Sequence, residues 1–465
     1  MESQAEEVVQ PDKDKPSSVL LESESTTNNG KNKPTLSQES GANKKTGILD
    51  KAYKILHYHV VPVVFILFFT SSVQILASLG RDEPISLKLV LPRLYGDLHS
   101  WTIVAVFTIW AIFWLKVPSS KTYGPETFHG AIPEYQDNGV LFFIASVLAF
   151  LGVQLYYTQV STLLFWNMPW LLSSLNIVAF VLCFFLFVDG IMKPDSRTDI
   201  NDLPYAFLFY RGVNLHANIC GVDIKQLAVS RMGLIGWQLL IQAFFVASIY
   251  NYGFNHGVAV CFLLQVVYIA KFYWWESGYF WTLDIAFDHP GYYLCWGGLV
   301  FVPAMYTYPS YYLVLHQPTI DILMSIVIAI IGLFAVAMNF RVDYEKQAFQ
   351  KNRHNENFQL WGKRVQYIPA TYTDSAGTVH QSKLLISGCW GVARHLNYTF
   401  ELLLALSWSL PGYQFGIHTF LYFIFLLILL VQRCFRDEKK CFEKYGSAYK
   451  EYCDKVPFRL IPYVF

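Results

Sequence analysis

For its first 47 residues the chain is polar throughout, rich in Ser, Lys, Glu, Asn and Thr, and then it turns into a succession of long apolar runs. A stretch such as 1–47 has nothing to bury and is expected to be a disordered tail; it also lacks the apolar core of a cleaved signal peptide. The runs near 58–79, 100–117, 139–159, 168–192, 231–252, 256–275, 292–316, 319–340 and 416–433 are close to the length, about 20 residues, that a helix needs to cross a bilayer. A shorter run at 401–413 is placed to pair with the last as a helical hairpin. The fold class this pattern predicts is all-α: a polytopic membrane helix bundle of about ten transmembrane helices. Residues 48–340 would hold the first eight of them.

The segment 341–383 is of another kind. It begins helical, and then Gln366-Tyr367-Ile368-Pro369 and Thr371-Tyr372-Thr373-Asp374 flank the turn residues Asp374 to Gly377. That reads as a short hairpin or loop lying over the carboxy-terminal spans. The chain has no internal repeat and no Gly-rich phosphate loop, so a nucleotide would have to be held by another device.

Composition agrees with the membrane reading. Of 465 residues 54% are hydrophobic and 15% charged, where soluble domains carry roughly 25% charged residues. Thirteen Trp and thirty Tyr suit interfacial aromatic belts. A formal net charge of +1 without a basic stripe makes nucleic acid an unexpected partner. Lys and Arg gather in alternate connections: Lys193, Arg197, Arg211 and Lys225, then Lys346, Lys351, Arg353, Lys363, Arg364 and Lys383, then Arg433 to Lys444. By the positive-inside rule the tail, these long loops and the carboxy terminus face the cytosol. Eight Cys are scattered singly with no CxxC pair, and they read as reduced packing residues.

Two constellations stand out against this background. The first is LLISGCWGVARHLNY, Leu384 to Tyr398, set directly before an apolar run. Charged groups near lipid cost roughly 2.5–3.5 kcal/mol each on insertion scales, so they are kept where they face a cavity, a ligand or one another. On a helix Arg394, Tyr398 and Glu401 share a face, as do Arg433, Asp437, Cys441 and Lys444. Arg394, Arg436 and Lys444 suit phosphates, and Asp437 suits a ribose hydroxyl or an amide. The plainer alternative is an interfacial belt of snorkelling side chains, against which Gly388, Gly391 and Gly446 speak, because a belt needs no close backbone approach. The second constellation runs from Trp274 to His289 and carries Asp284 and Asp288 among aromatic neighbours. Carboxylates in such surroundings can hold a proton for donation; the alternative is a lumenal interfacial loop with solvated acids. Asp284, Asp288 and His289 are too sparse a set to predict a metal site. The Asn397-Tyr398-Thr399 sequon falls beside a span on the cytosolic side and reads as chance.

LLISGCWGVARHLNY, followed by CFRDEKKCFEKYGSAYKEYCDKVPFRLIPYVF, closely resembles the sterol reductase family of endoplasmic-reticulum membranes. KFYWWESGYFWTLDIAFDHPGYYLCWGGLVFVPAMYTYPSYYLV and EYQDNGV resemble its C7–C8-reducing branch. The resemblance covers roughly residues 50–465. It implies ten transmembrane helices, both termini cytosolic, NADPH in a cytosol-facing pocket formed by residues 384–465, and a sterol drawn from the bilayer into an adjacent cavity. Membrane lipids and other sterol-biosynthesis enzymes are the further partners it suggests. Carried over by position, the NADPH contacts are Lys346, Leu385, Trp390, Arg394, His395, Asn397, Tyr398, Asp437, Cys441, Lys444, Tyr445 and Tyr452. The chain departs from the family pattern at Asn214-Leu215-His216-Ala217-Asn218, where Glu-x-Asn-Pro-Arg is usual. It also departs at Phe287, at Gln350 and at Phe400-Glu401.

Reducing a ring alkene requires a proton on one carbon and a hydride on the other, hence an acid kept protonated in a water-poor pocket. Glu401 or Asp288 is expected to supply the proton, directly or through a Tyr such as Tyr398. C7–C8 reduction leads, with C14–C15 reduction, an S-adenosylmethionine-dependent methyltransferase and a non-catalytic sterol-binding paralogue as the alternatives.

Overall fold

Among the described residues eight helices are long and apolar enough to span a bilayer. They are α1 (Val61–Leu79), α2 (Leu98–Lys116), α3 (Gly139–Tyr156), α4 (Met168–Met192), α5 (Gln226–Tyr252), α6 (His256–Trp274), α8 (Ile322–Lys351) and α10 (Ile417–Tyr445). Two further segments complete the expected bundle of about ten. One is a π-helical stretch, Tyr292–Tyr306, continued by α7 (Tyr308–Leu315). The other is α9 (Leu396–Ser409), extended by the 3-10 turn Leu410–Phe415. A last helix, α11 (Ser447–Lys455), turns away from α10 at Gly446. The computed structural model describes residues 51, 53–125, 132–194, 203–352, 354–355, 357–373 and 379–465. The predicted tail, Arg197, Arg353 and the turn Asp374–Gly377 lie outside these residues.

Most of the outward surface of α1, α2, α3 and α8 is exposed Leu, Ile, Val and Phe, as lipid-facing helices require. The first turns of α5 approach the segment Tyr292–Tyr306 closely. A Cβ at Gly233 would stand 2.7 Å from the Gly298 oxygen, and one at Gly298 2.9 Å from the Ala228 oxygen. Both glycines are needed for the backbones to touch, and both chains are π-helical here, with Pro303 interrupting the second.

Polar pairs define the two ends of the bundle. At one end Arg81 donates to the Trp166 carbonyl (2.7 Å), Arg93 pairs with Glu83 (2.6 Å) and His316 lies 2.9 Å from Asp82. Three helices start here on side-chain caps: Asp97 accepts from Ser100 N, Asp321 from Met324 N, and Asn255 from Gly257 N and Val258 N. At the other end Lys225 Nζ donates to the Ile285 carbonyl (2.6 Å), and Arg433 holds both oxygens of Asp284 (2.6 and 2.8 Å). The Trp274–His289 segment therefore lies at the end that carries the carboxy-terminal tail. Its acids are ion-paired there, so they are not the freely solvated acids considered above.

Within the segment read as a hairpin or loop, β3 (Tyr367–Thr373) pairs antiparallel with β4 (Val379–Leu385), Tyr367 opposite Leu385 and Thr373 opposite Val379. An earlier ribbon pairs β1 (Lys121–Tyr123) with β2 (Glu134–Gln136).

One buried ion pair pins α5 to the segment after α6. Arg231 Nη1 lies 2.5 Å from Glu276 Oε1 and Arg231 Nη2 donates to Asn138 Oδ1 (2.8 Å), with both charged side chains shielded from solvent. Removing one partner of such a pair leaves an uncompensated charge, which costs about 3–5 kcal/mol. Glu276→Ala is expected to lower the melting temperature of the detergent-solubilised protein sharply. The double change Arg231→Met with Glu276→Leu recovers most of the loss, as thermal size-exclusion profiles would register.

Candidate active site

The carboxy-terminal end of α8 supplies the floor of the site. Glu345 is fully buried and accepts from Cys389 N (2.9 Å), Trp361 Nε1 (2.7 Å) and Arg341 Nε (3.0 Å). The chain after β4 can pass this carboxylate only at Gly388. Its φ is +62°, and a Cβ there would stand 2.5 Å from Glu345 Oε2. Burial, aided by Glu345, pushes the Cys389 thiol up to about 12. Trp390 follows, donating from Nε1 to the Val342 carbonyl (2.9 Å), with Lys346 Nζ 4.3 Å above its ring. Lys346, Trp390 and Leu385, singled out together in the sequence, are thus neighbours; Leu385 and Trp390 pack in one core with Val342 and Leu396.

Arg394 and His395 are held by the tail. Their backbone N–H groups donate to the carbonyls of Phe458 (2.9 Å) and Arg459 (2.8 Å). The Arg394 guanidinium donates to the Val456 carbonyl (2.7 Å) and to Glu438 Oε1 (2.7 Å), which also accepts from Arg459 Nε (2.8 Å). Arg394 is therefore committed to α10 and the tail through both terminal nitrogens. His395 stacks on Tyr398, with centroids 5.2 Å apart and rings 7° from parallel, and its Nε2 lies 3.7 Å from Asp437. Burial, reinforced by Lys346, pulls the imidazole down to about 4, so it is neutral at neutral pH. Asn397 Nδ2 donates to Asp343 (3.0 Å).

Other expected contacts gather around α10 and α11. Cys441 and Tyr445 pack on a core containing Tyr452, Tyr449, Val456 and Ile368. Lys444 Nζ lies 3.9 Å over the Tyr372 ring of β3 and 5.2 Å over Tyr445. Arg436 is paired with Asp288, and Lys440 lies 4.0 Å over Phe287. Among the described residues, three buried polar atoms in this region find no hydrogen-bond partner: Arg394 Nε, His395 Nε2 and Asn397 Oδ1. Unsatisfied buried groups are few in native proteins, and each asks for an explanation. One fixed donor (Arg394 Nε), one nitrogen able to donate or accept (His395 Nε2) and one fixed acceptor (Asn397 Oδ1) beside Lys346 and Trp390 suit a polar, partly aromatic, anionic ligand such as a dinucleotide.

A second network runs from here into the bundle. Asn339 Nδ2 donates to the Asn397 carbonyl (2.9 Å) and lies 3.5 Å from Glu401 Oε2, while Tyr268 OH donates to Glu401 Oε1 (2.8 Å). Lys271 Nζ donates to Asn339 Oδ1 (2.6 Å) and sits 3.8 Å from Asp343. Beyond Tyr268 lies an aromatic wall: Trp237 at 5.8 Å, Trp408 at 5.9 Å, and Tyr306 and Tyr422 packed on them. Glu401 therefore connects to the Asn397 region, whereas Asp288 is held by Arg436 outside this network. Sequence reasoning missed Tyr268, Lys271, Asn339, Asp343, Glu345 and Glu438. Lys271 alone carried a usable signal, a charge inside an otherwise apolar run. The divergent segment at 214–218 lies at the same end but bonds elsewhere, Asn214 Nδ2 to the Lys193 carbonyl (3.0 Å) and His216 Nδ1 3.5 Å from Tyr135 OH.

A family model described as ergosterol biosynthesis ERG4/ERG24 matches residues 39–465. Among curated proteins, a 7-dehydrocholesterol reductase of Arabidopsis thaliana is 33% identical over 371 residues, covering 79% of this chain and 85% of its own. One of Xenopus laevis is 29% identical over 461 residues, covering 92% and 96%. A Delta(14)-sterol reductase of Methylotuvimicrobium alcaliphilum is 29% identical over 380 residues, covering 79% and 84%.

The neutral His395 makes stability pH-dependent. An exposed imidazole titrates near 6.5, so as pH falls the unfolded chain takes up this proton before the folded one does. The contribution is intact above about pH 6.5 and is lost as pH falls toward 4, by roughly 3 kcal/mol in full. Melting temperature against pH should fall less steeply between 6.5 and 4 for His395→Gln than for the unaltered protein. Parallel curves would remove the assignment.

Proposed function

This chain belongs to the ergosterol biosynthesis ERG4/ERG24 family of sterol reductases, and on that premise we propose that it reduces the C7–C8 double bond of 5,7-diene sterols with NADPH. The observation that carries the reading is the continuous network from Tyr268 through Glu401 and Asn339 to Asn397, because it joins a carboxyl group in apolar surroundings to the three unpaired polar atoms beside Lys346. The 7-dehydrocholesterol reductase names of relatives spanning most of the chain favour C7–C8.

In this reading Lys346 and Lys444 meet phosphate charge, and His395 and Asn397 present a polar edge. Leu385, Trp390, Tyr445 and Tyr452 provide apolar walls, with Asp437 and Cys441 on the facing helix. A reduced nicotinamide, when bound, supplies a hydride. Glu401 supplies the proton to one alkene carbon, with Tyr268 orienting its carboxyl, and the π-faces of Trp237, Tyr306 and Trp408 stabilise the positive charge that develops on the other carbon. Arg394 positions the strand that carries these groups. The proton ends on the sterol, and Glu401 is reprotonated through the Asn339–Lys271–Asp343 chain. The family resemblance favours residence in the endoplasmic-reticulum membrane, and the distribution of Lys and Arg supports cytosolic termini. C14–C15 reduction is the second reading, favoured by the Delta(14)-sterol reductase relative.

Expression in yeast that accumulates 5,7-diene sterols, with gas chromatography–mass spectrometry of the extract, tests this directly. The expected result is a fall in 5,7-dienes and a rise in 7,8-saturated Δ5 sterols. An unchanged profile with membrane-inserted protein would overturn C7–C8 reduction, and a strain accumulating Δ14 sterols would then decide the second reading. Glu401→Gln should lower turnover about 10²–10⁴-fold, the usual contribution of a general acid, while Asp288→Asn keeps activity within a few-fold. The reverse order would transfer the proton to Asp288.

A further inference from the structure

A cavity of about 410 Å³ lies on the opposite face of α5 from the Tyr268–Glu401 network. It is walled by α2, α3, α4, α5, the short helix Val160–Trp166 and the segment Tyr292–Tyr306, with Phe107, Trp110, Leu164, Gly236 and Pro303 among its lining. None of the residues assigned to cofactor or proton chemistry contributes to it. The partition is α5 itself: Gly236, Leu239 and Leu240 face the cavity, whereas Trp237 between them packs toward Tyr268 and Trp408. The lining from α2 starts at Thr102 and ends at Trp110, and that from α3 runs from Ser146 to Val153. The cavity thus sits toward the end marked by Arg81 and Arg93, away from Arg394.

Its chemistry is nearly all apolar. Among the described residues no charged side chain lines it, and the two hydroxyl side chains that do are Thr102 and Ser146. Thr102 is satisfied by the Leu98 carbonyl (2.8 Å). Ser146, 2% exposed, accepts from Trp110 Nε1 (2.9 Å), and its own proton has no acceptor among the described residues. An unfilled apolar void forfeits the dispersion contacts of its whole lining, so in a bilayer it will hold lipid. The volume falls within the roughly 300–1,000 Å³ of small-molecule pockets. A phospholipid headgroup would find no charge partner here, and an acyl chain would leave the Ser146 proton unbonded. A rigid, wholly apolar body with one hydroxyl oxygen satisfies both conditions.

We propose that this cavity is a second sterol site, distinct from the place of reduction, which holds a hydroxysterol drawn from the bilayer with its hydroxyl accepting from Ser146. The inference rests on the membrane reading of the bundle and on no particular double bond.

The test uses the full chain in lipid nanodiscs, a photoreactive diazirine sterol, a photoreactive palmitate, and mass spectrometry of the labelled peptides. The sterol probe should label α2 and α3 peptides, saturably and in competition with unlabelled sterol, whereas the palmitate probe should label them no more than other lipid-facing helices. Gly236→Leu, whose side chain enters the cavity, should reduce that labelling about tenfold. Ser146→Ala, a change too small to threaten folding, should raise the half-saturating sterol concentration about fivefold, the weight of one neutral hydrogen bond. Labelling of α2 and α3 that is non-saturable, equal for both probes, or unmoved by both variants would overturn the proposal. Displacement by a 5,7-diene alone would identify the occupant as substrate, and displacement by saturated sterols as well would identify it as bilayer sterol. Sterol conversion in yeast is read separately, so failure here leaves the reductase assignment standing.

Discussion

Arg394 brings a guanidinium to a position only 5% exposed, beside a membrane bundle, and a charge so placed must be compensated on the spot. Glu438 provides the compensation from α10, and Arg459 shares the same carboxylate from the tail. The remaining terminal nitrogen binds the Val456 carbonyl, and the adjoining backbone pairs with Phe458 and Arg459. Three segments distant in sequence are therefore locked at the start of α9. Everything α9 carries is positioned from that lock. At 1.5 Å rise per residue, Glu401 comes to lie about 7.5 Å deeper into the bundle than Leu396, the first residue of α9. A polar group at that depth needs partners, and it finds them in Tyr268 and Asn339.

The same logic explains why the polar residues of α6 and α8 converge. Lys271, Asn339, Asp343 and Glu401 lie within or at the ends of helices whose outer faces meet lipid. Isolated, each would be expensive; together they satisfy one another through Asn339, which donates to Asn397 and Glu401 and accepts from Lys271. A closed polar chain of this kind can hold and pass a proton without opening the site to water. The atoms it leaves unpaired, Arg394 Nε, His395 Nε2 and Asn397 Oδ1, lie at its outer end. The economy of partners is what makes those three atoms informative.

Much of this arrangement is legible in sequence, and what is not has definite causes. The spans show because a bilayer imposes a length, the hairpin at 367–385 because its β-rich flanks bracket turn residues, and the polar run at 384–398 because charges there have no cheap explanation. Pairing is another matter. Nothing local says that Arg394 is held by Glu438 or that Asp288 is held by Arg436, since each pair joins segments set by tertiary packing. Tyr268 is hidden because a Tyr fits an apolar run as well as an active site does. The π-helical stretch at 292–306 approaches the first turns of α5 at Gly233 and Gly298, a contact that no period reveals.

The two faces of α5 give the bundle its functional asymmetry. One face carries Trp237, whose indole donates to Gln265 and packs with Tyr268 and Trp408; the other carries Gly236, Leu239 and Leu240 and borders open apolar volume. A helix so divided separates a compartment built around a hydrogen-bonded polar chain from one that offers a single hydroxyl proton. Polar chemistry needs the first, because a stray water would hydrate the acid and quench its strength. An apolar lipid can rest in the second at no cost in unsatisfied groups. The π-helical opening turns of α5 and the facing stretch at 292–306 border both compartments, and their bonds are the less regular ones in the bundle. Such windings often mark functional sites, and here they stand at the boundary between the two compartments.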